Sequence, residues 1–230
     1  MNNNNELIKW DLDQPWCLGI EDYKTLIKHL DSNKLNLIVE LGSGLSTFQL
    51  AEDFPNTKIF SLENDPKIRE DNNQTLKSNG KHSAQILLAP IKKSICKGAI
   101  FETYDFKVLK KYSHIDLLIV DGPVEKKFPL GREASLYFLF DQLAIGAVIG
   151  LDDYHRDSAK ATVKNWLTFF DKSLSIEEET SSFVVLRKQS EFPKYNFNLR
   201  LALRSYRVLI APFLRKVRTR IRSKLFSNKG

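Results

Sequence analysis

Two closely spaced glycines lie between two carboxylates, and this spacing suits the binding of a nucleotide-like ligand. Gly42 and Gly44 follow the apolar segment 37–39, which is typical of a strand buried on both faces of a parallel sheet. Glycine permits positive φ and a close backbone approach, so amides at the start of the next helix can face a ligand. Glu40 stands just before the glycines, and Glu63 ends the next apolar segment. The pattern therefore predicts one ligand site at the ends of two strands.

The glycine turn departs from the pattern that binds the pyrophosphate of a dinucleotide. That pattern has a third glycine, and this chain has Thr47 in its place. A carboxylate at Glu40 would repel phosphates but suits a cationic group, such as the ammonium of a methionine moiety. Glu63 stands where a carboxylate receives ribose hydroxyls. These features favour S-adenosylmethionine over NAD, whereas the structural alternative is charge complementarity at helix N-termini. Ser43 and Ser46 either contact the ligand or cap the helix.

Four segments in order resemble the motifs of the class I S-adenosylmethionine-dependent methyltransferases. Segments 40–47 and 61–66 resemble their first motif and ribose-binding turn, and 115–123 and 145–156 resemble their fourth and fifth strands. The resemblance covers residues 15–188. It implies that S-adenosylmethionine is bound by Glu40, Gly42, Ser43, Gly44, Ser46, Glu63, Asn64 and Asp121.

A narrower resemblance concerns the acceptor of the methyl group. Small methyltransferases of polysaccharide and glycan biosynthesis have a D-G-P turn before an arginine and a D-D-x-x-R segment, and this chain has both. The resemblance implies methyl transfer to a hydroxyl of a sugar, of a free or lipid-linked glycan, or of a related small acceptor.

Three aspartates follow the predicted fourth and fifth strands. In the catechol O-methyltransferase branch, residues at similar places bind Mg²⁺, so the resemblance implies a metal site formed by Asp121, Asp152 and Asp153. The match is imperfect because Asp153 stands where that branch has an amide. In the alternative, Asp121 lies near the methionine end of the cofactor, and Asp152 and Asp153 cap the next helix.

Catalysis and acceptor binding have candidates in the same region. We assign catalysis to Asp121, Asp152 and His155, because a neutral imidazole can remove the acceptor's hydroxyl proton. A surface histidine without a catalytic role is the alternative. Arg132 and Arg156 either bind an anionic acceptor or pair with the neighbouring acids.

Alternating strands and helices predict a Rossmann-like, doubly wound α/β fold with a mostly parallel sheet and an antiparallel edge strand. The predicted strands are 37–41, 58–62, 84–89, 115–120 and 147–151, followed by the strand pair 173–178 and 182–188. The predicted helices are 21–30, 47–53, 66–78, 103–112, 133–143 and 158–170. We divide the chain into an N-terminal entry segment and helix (1–34), a methyltransferase domain (35–190) and a basic amphipathic tail (191–230).

The basic charge of the chain belongs to its tail. The formal net charge is +7, yet residues 1–198 carry 25 Lys and Arg against 28 Asp and Glu, and residues 199–230 carry ten Lys and Arg and no acids. Apolar residues recur there at steps of three or four, which predicts a helix bent at Pro212, with the stripe Leu199, Leu203, Tyr206, Ile210, Phe213, Leu214, Val217, Ile221 and Leu225. Such a helix lies on anionic membranes. The alternatives are packing on the domain or on a second subunit, and nucleic acid is less favoured.

The sequence also favours a cytoplasmic protein, peripheral on the inner face of the membrane. The first residues lack the pattern of a signal peptide, and no apolar run is long enough to span a bilayer. Cys17 and Cys96 match neither a metal spacing nor a disulfide framework. Two rivals to a sugar methyltransferase remain open, which are a non-catalytic adaptor with a methyltransferase fold at the membrane and an RNA methyltransferase.

Overall fold

The computed structural model describes residues 10–12, 18–193, 197–210 and 214, and its centre is a seven-stranded sheet. The strands of the described chain are β1 (Leu37–Leu41), β2 (Lys58–Glu63), β3 (Ala84–Leu88), β4 (Ile91–Cys96), β5 (Ala99–Tyr104), β6 (Ile115–Val120), β7 (Leu143–Leu151), β8 (Leu174–Glu179) and β9 (Val184–Lys188). The order in the sheet is β3-β2-β1-β6-β7-β9-β8, and β4 pairs only with β5. Only β9 runs against the other strands, so the predicted doubly wound, mostly parallel sheet is confirmed.

Helices pack on both faces of the sheet. The α-helices are α1 (Ile20–Ile27), α2 (Leu45–Asp53), α3 (Pro66–Ser78), α4 (Gly131–Leu139), α5 (Asp157–Phe170) and α6 (Leu199–Ser205). Single 3-10 turns lie at Ser32–Lys34, Phe106–Leu109, Phe140–Gln142 and Asp171–Ser173, and a π turn at Tyr206–Ile210 follows α6.

The core consists of two hydrophobic clusters that share the strands of the sheet. Because side chains alternate along a strand, Val39 packs into one cluster with α4 and α5, and Ile38 packs into the other with α1 and α2. All five residues of β1 are buried. The predicted burial of this strand on both faces is therefore confirmed.

The start of α3 shows how local sequence fixes an element boundary. Asp65 caps the helix, because its Oδ1 accepts hydrogen bonds from the backbone N–H groups of Lys67 at 2.8 Å and Ile68 at 3.1 Å. Pro66 occupies the first helical position, where no N–H is needed. The predicted bounds of this helix are confirmed.

The predicted helix over 103–112 is wrong. Residues 91–104 form the β4–β5 hairpin instead, and only the 3-10 turn Phe106–Leu109 is helical in the predicted range. Ala99, Phe101 and Thr103 are buried at a period of two, which is the pattern of a strand. The two-residue loop has positive φ at both Lys97 and Gly98, a geometry that matches the twist of a hairpin.

The boundary between α4 and β7 also differs from the prediction. The helix predicted over 133–143 begins at Gly131 and ends at Leu139, and β7 begins at Leu143 rather than at Ala147. Leu143 pairs with Ile115 on β6, so the apolar end of the predicted helix belongs to the sheet.

Helix α6 packs against β5 by the face opposite to the predicted stripe. Leu201 and Ser205 are only 6% and 3% exposed, and the Ser205 hydroxyl accepts the Ile100 N–H at 3.2 Å. Arg204 pairs with the buried carboxylate of Glu133 on α4. By contrast, four stripe residues of the described tail, Leu199, Leu203, Tyr206 and Leu214, are exposed, and Ile210 is half-buried.

Several predictions for the tail fall on residues that the structure does not describe. Phe213, Val217, Ile221, Leu225 and the bend at Pro212 lie outside the described residues. Among the helices that are described, none combines the length and the apolar character needed to cross a bilayer.

Gly98 provides a test of how the tail docks. It has φ of +82°, and a Cβ there would lie 2.3 Å from the Phe197 ring. We expect Gly98→Ala to lower the free energy of unfolding by roughly 1 kcal/mol through backbone strain, with a further loss from displacing Phe197. Urea denaturation would measure the sum of these two losses in the free energy of unfolding.

Gly80→Ala is the matched control, because Gly80 has φ of +68° and no atom lies within 4 Å of its Cβ position. In a Phe197→Ala background, where no ring is displaced, Gly98→Ala should cost only as much as the control. Equal losses for the two single variants would show that Phe197 does not pack on the hairpin.

Candidate functional site

The predicted site residues lie at the carboxyl edge of the sheet. The parallel register aligns Leu41, at the end of β1, with Leu62 and Val120, so the ends of β1, β2 and β6 lie side by side. Glu63 ends β2, and Asp121 follows β6. A crevice at this edge is the usual ligand site of open α/β sheets.

The two glycines of the turn have different roles. Gly42 has φ of +100°, and a Cβ there would lie 3.4 Å from the Gly122 nitrogen, so this glycine allows the turn to approach the loop after β6. Gly44 has φ of −174°, which is extended backbone that any residue adopts, so the expected positive φ is found only at Gly42. No atom lies within 4 Å of the Cβ position of Gly44, which leaves room for a close ligand.

The Glu40 carboxylate is fully buried under the start of α2. Its Oε1 accepts the Ser46 hydroxyl at 2.5 Å, and its Oε2 accepts the Thr47 hydroxyl. Burial raises the pKa of Glu40 above its ordinary value, and the hydrogen bonds from the two hydroxyls oppose that rise. Glu40 therefore contributes to the crevice indirectly, because it accepts hydrogen bonds from the hydroxyls of Ser46 and Thr47.

Thr47 explains why the third glycine is absent. Besides donating to Glu40, its hydroxyl accepts the Gly44 N–H at 3.1 Å. The Gly42 N–H donates to the Leu62 carbonyl at 3.0 Å. Because these two amides are used within the protein, and because a buried carboxylate lies beneath them, the turn is poorly suited to a pyrophosphate.

The Glu63 carboxylate is held in one orientation. Its Oε1 accepts the N–H groups of Asn64 at 2.7 Å and Asp65 at 2.9 Å. Its Oε2 accepts the Ser43 hydroxyl at 3.0 Å, and Asn72 donates to that hydroxyl from α3 at 3.0 Å. The sequence did not indicate Asn72, because its contact depends on how α3 packs. Asn64 contributes to this arrangement through its backbone.

Arg132 lies at the centre of the aspartate cluster. Its Nη2 donates to the Asp121 carbonyl at 2.6 Å and to Asp121 Oδ1 at 3.2 Å. Its Nη1 donates to the Asp152 carbonyl at 3.3 Å and lies 2.8 Å from Asp153 Oδ2 in an ion pair, and its Nε donates to the Pro123 carbonyl at 3.4 Å. Four of these five contacts are hydrogen bonds, and the fifth is the ion pair with Asp153. The pairing with neighbouring acids is therefore present.

Two acids of the aspartate cluster have raised pKa values. One carboxylate oxygen each of Asp121 and Asp152 lies within 4.8 Å of the other. Burial, followed by the Asp152 carboxylate, raises the pKa of Asp121 well above its ordinary value, although Arg132 opposes the rise. Burial also raises the pKa of Asp152.

The cluster does not fit a divalent cation. One oxygen each from Asp121, Asp152 and Asp153 lies within 4.8 Å of the others, as a metal site requires. However, two nitrogens of Arg132 already contact Asp121 and Asp153, and a positive guanidinium repels a second cation. We therefore assign no chemical step to Mg²⁺.

Arg156 and His155 lie on the exposed part of the same rim. The Arg156 Nη1 contacts Asp153 Oδ2 at 2.7 Å, and its side chain is 45% exposed. His155 is exposed in the turn between β7 and α5. Arg156 also lines a groove of about 520 Å³ with residues of three segments, which are Glu125, Lys126, Pro129, Leu130, Ser158, Thr162, Arg204 and Val208.

Tyr104 is a site residue that the sequence did not reveal. It ends β5 and is only 3% exposed, and a Cβ on Gly122 would lie 2.4 Å from its hydroxyl. Burial, and then the carboxylates of Glu63 and Asp121, raise the pKa of the Tyr104 hydroxyl. It was missed because β5 was predicted to be helical at this point.

Glu40→Gln tests how the charge of the buried Glu40 carboxylate affects the stability of the protein. The raised pKa of Glu40 means that folding becomes less favourable as pH rises above 4.5, the ordinary value of this carboxyl. We expect the variant to unfold at the same or a higher temperature than the wild type at pH 8, with the difference closing toward pH 4.5. Thermal unfolding across this pH range, with the exposed Glu70→Gln as control for one lost charge, would measure it. A difference that does not vary with pH would contradict a raised pKa.

Comparison with known proteins identifies the fold. No protein-family model and no curated protein matches the sequence. Among solved structures, an O-methyltransferase from Bacillus cereus in complex with SAH is 14% identical, with a TM-score of 0.56 over 76% of this chain and 84% of that chain. A SAM-dependent O-methyltransferase from Thermotoga maritima is 13% identical, with a TM-score of 0.56 over 80% and 70% of the two chains.

An RNA-modifying enzyme is similar to about the same degree. An rRNA methylase from Streptococcus thermophilus is 15% identical, with a TM-score of 0.51 over 74% of this chain and 95% of that chain. Identities this low establish architecture and leave the acceptor open. The chain has the Rossmann-like fold of the class I S-adenosylmethionine-dependent methyltransferases.

Proposed function

We propose that this protein is an S-adenosylmethionine-dependent methyltransferase that modifies a hydroxyl of a sugar, a glycan or a related small acceptor. The observation that carries the proposal is the fixed Glu63 carboxylate beside the open space at Gly44. Oε2 of Glu63 accepts a ribose hydroxyl, and the open space at Gly44 admits the cofactor against the backbone. The buried acid Glu40 and the half-buried acid Asp121 favour a cationic ligand. When bound, S-adenosylmethionine supplies an electrophilic methyl group.

The residues of the chain then align the acceptor and remove its proton. In-line transfer requires alignment of the acceptor, and the groove at Arg156 offers a surface on which the acceptor binds. The exposed His155 accepts the hydroxyl proton, and the neighbouring carboxylates of Asp121 and Asp152 are the alternative acceptors. Because Arg132 is buried and bound by the aspartate cluster, Arg156 is the arginine that remains half-exposed for an anionic acceptor.

We further propose that the tail attaches the protein to the cytoplasmic face of an anionic membrane. In α6 and the π turn that follows it, the exposed residues Leu199, Leu203 and Tyr206 recur at helical spacing, opposite the buried Leu201 and Ser205. These three residues of the stripe are thus not covered by the described part of the domain. The ten positive charges of residues 199–230 complement anionic lipid, and a lipid-linked glycan would lie at that surface.

Exposed residues of the β4–β5 hairpin, which packs beside α6, support the proposal of a membrane-binding surface. Phe197, which packs on the hairpin turn, is 60% exposed, and Ile95 of β4 is 73% exposed. Lys93, two residues before Ile95, is also exposed. Exposed apolar side chains near basic ones are characteristic of proteins that bind membrane interfaces.

An RNA methyltransferase is the second candidate, and the basic tail favours it. RNA binding would fall steeply with salt, and RNA rather than a glycan would accept the methyl group. A non-catalytic adaptor at the membrane would bind vesicles without any turnover.

The cofactor assignment is tested by binding of S-adenosylhomocysteine. We expect calorimetry to show binding that Glu63→Ala weakens by ~1–3 kcal/mol, because a charged hydrogen bond to the ribose is lost. Glu70→Ala, on the exposed face of α3, should bind like the wild type. Binding of NADH with no response to S-adenosylhomocysteine would overturn the assignment.

The membrane assignment is tested by flotation with phosphatidylglycerol vesicles. We expect the full chain to float and to lose most of its binding in high salt. The double variant Leu199→Gln and Leu203→Gln should bind roughly tenfold more weakly, because two apolar side chains no longer enter the bilayer. Its melting temperature should not change, since both leucines face away from the domain.

Leu201→Ala is the matched control for the inner face of α6. It should lower the melting temperature, because Leu201 is 6% exposed, and leave vesicle binding intact. Truncation at Asn198 is less informative, because it also removes Arg204 from Glu133. If the wild type does not bind vesicles and elutes as a dimer, the stripe belongs to a subunit interface.

A further inference from the structure

The aspartate cluster has the oxygen atoms of a metal site but contains an arginine. We propose that the guanidinium of Arg132 takes the place of a divalent cation among Asp121, Asp152 and Asp153. Arg132 is then a positioning residue that makes the proposed methyl transfer independent of metal. The metal independence of methyl transfer rests on the proposed function. The replacement of a cation by Arg132 does not depend on that function.

The contacts of Arg132 carry the proposal. A metal ion in such a cluster would neutralise carboxylates and draw oxygens from different loops toward one point. Arg132 does both, since it pairs with Asp121 and Asp153 and donates to the carbonyls of Asp121, Asp152 and Pro123. It thereby joins the loop after β6 to the loop after β7.

The start of α4 prevents the guanidinium from leaving. Arg132 is 8% exposed and is the second residue of that helix. A Cβ on Gly131 would lie 2.6 Å from Pro123 Cγ and 3.0 Å from the Glu102 carbonyl oxygen, so the helix begins in close contact with the loop and with β5. A buried arginine held by four hydrogen bonds and an ion pair with Asp153 does not move aside for an incoming ion without losing those contacts.

The local charge balance also opposes a second cation. Asp153 is shared by Arg132 and Arg156, with nitrogen–oxygen distances of 2.8 and 2.7 Å. A divalent ion among the three carboxylates would face two guanidinium groups at short range. Removal of Arg132 would leave the oxygens close together with one positive neighbour, Arg156.

Electron paramagnetic resonance of Mn²⁺ tests the substitution directly. We expect the wild type and Asp152→Asn to bind Mn²⁺ equally weakly, because the wild type holds no ion at the cluster. Arg132→Met should gain one site per chain that binds about tenfold or more tightly. Adding Asp152→Asn to Arg132→Met should abolish the gained site.

Arg156→Met is the matched control, because it removes the other guanidinium and leaves the five contacts of Arg132 in place. It should gain no site. If Arg132→Met folds poorly, a rise in its melting temperature with Mn²⁺ that the wild type lacks is the same positive result. The comparison of Mn²⁺ binding by the wild type and by Asp152→Asn tests the proposal whether or not Arg132→Met folds.

Two results would overturn the proposal. One is a wild type that binds one Mn²⁺ per chain and loses it in Asp152→Asn. The other is methyl transfer that EDTA abolishes and Mg²⁺ restores. Failure of S-adenosylhomocysteine binding would instead overturn the proposed function, and it would leave the Mn²⁺ result unaffected.

Discussion

The loops after β6 and β7 depend on one buried guanidinium group. Carboxyl and carbonyl oxygens at the edge of the sheet need partners when water is excluded, and Arg132 supplies five contacts from the first turn of α4. Loss of one partner of a buried ion pair typically costs about 3–5 kcal/mol, because the remaining charge is left uncompensated. The position of α4 against the sheet, and with it the shape of the crevice, is therefore set by this group.

The crevice has an electrostatic character that follows from burial. The pKa values of Glu40, Asp121 and Asp152 are all raised by burial, and Tyr104 lies among their carboxyls. Oxygen acceptors with poor access to water are stabilised by a cation, and they disfavour phosphates. The proposal of a sulfonium ligand rather than a dinucleotide rests on this arrangement of acids.

Most of the sheet could be predicted from the sequence, because its strands are short apolar runs and its helices begin at clear caps. Asp65 and Pro66 fixed the start of α3, and acids at strand ends marked the carboxyl edge. The β4–β5 hairpin was missed because Lys97 and Gly98 form a weak turn signal, and because Phe106 and Leu109 mimic a helical period.

The parts of the site that escaped prediction depend on packing between distant segments. Arg132 makes three of its contacts with backbone carbonyls, which no residue type reveals. The role of Tyr104 depends on β5, whose fold was predicted wrongly. The hydroxyl of Thr47 bonds to Glu40 only because α2 begins at Leu45. The division into three segments and the assigned site roles stay predictions.

The contact between Glu133 and Arg204 has a consequence for how this chain can vary. Glu133 is 1% exposed and also accepts the Tyr137 hydroxyl at 3.0 Å, so its charge is balanced chiefly by an arginine 71 positions later. A descendant that lost the C-terminal segment would retain a buried, uncompensated carboxylate. Positions 133 and 204 are therefore expected to change together, and a natural homologue that ends before α6 should carry a neutral residue in place of the glutamate.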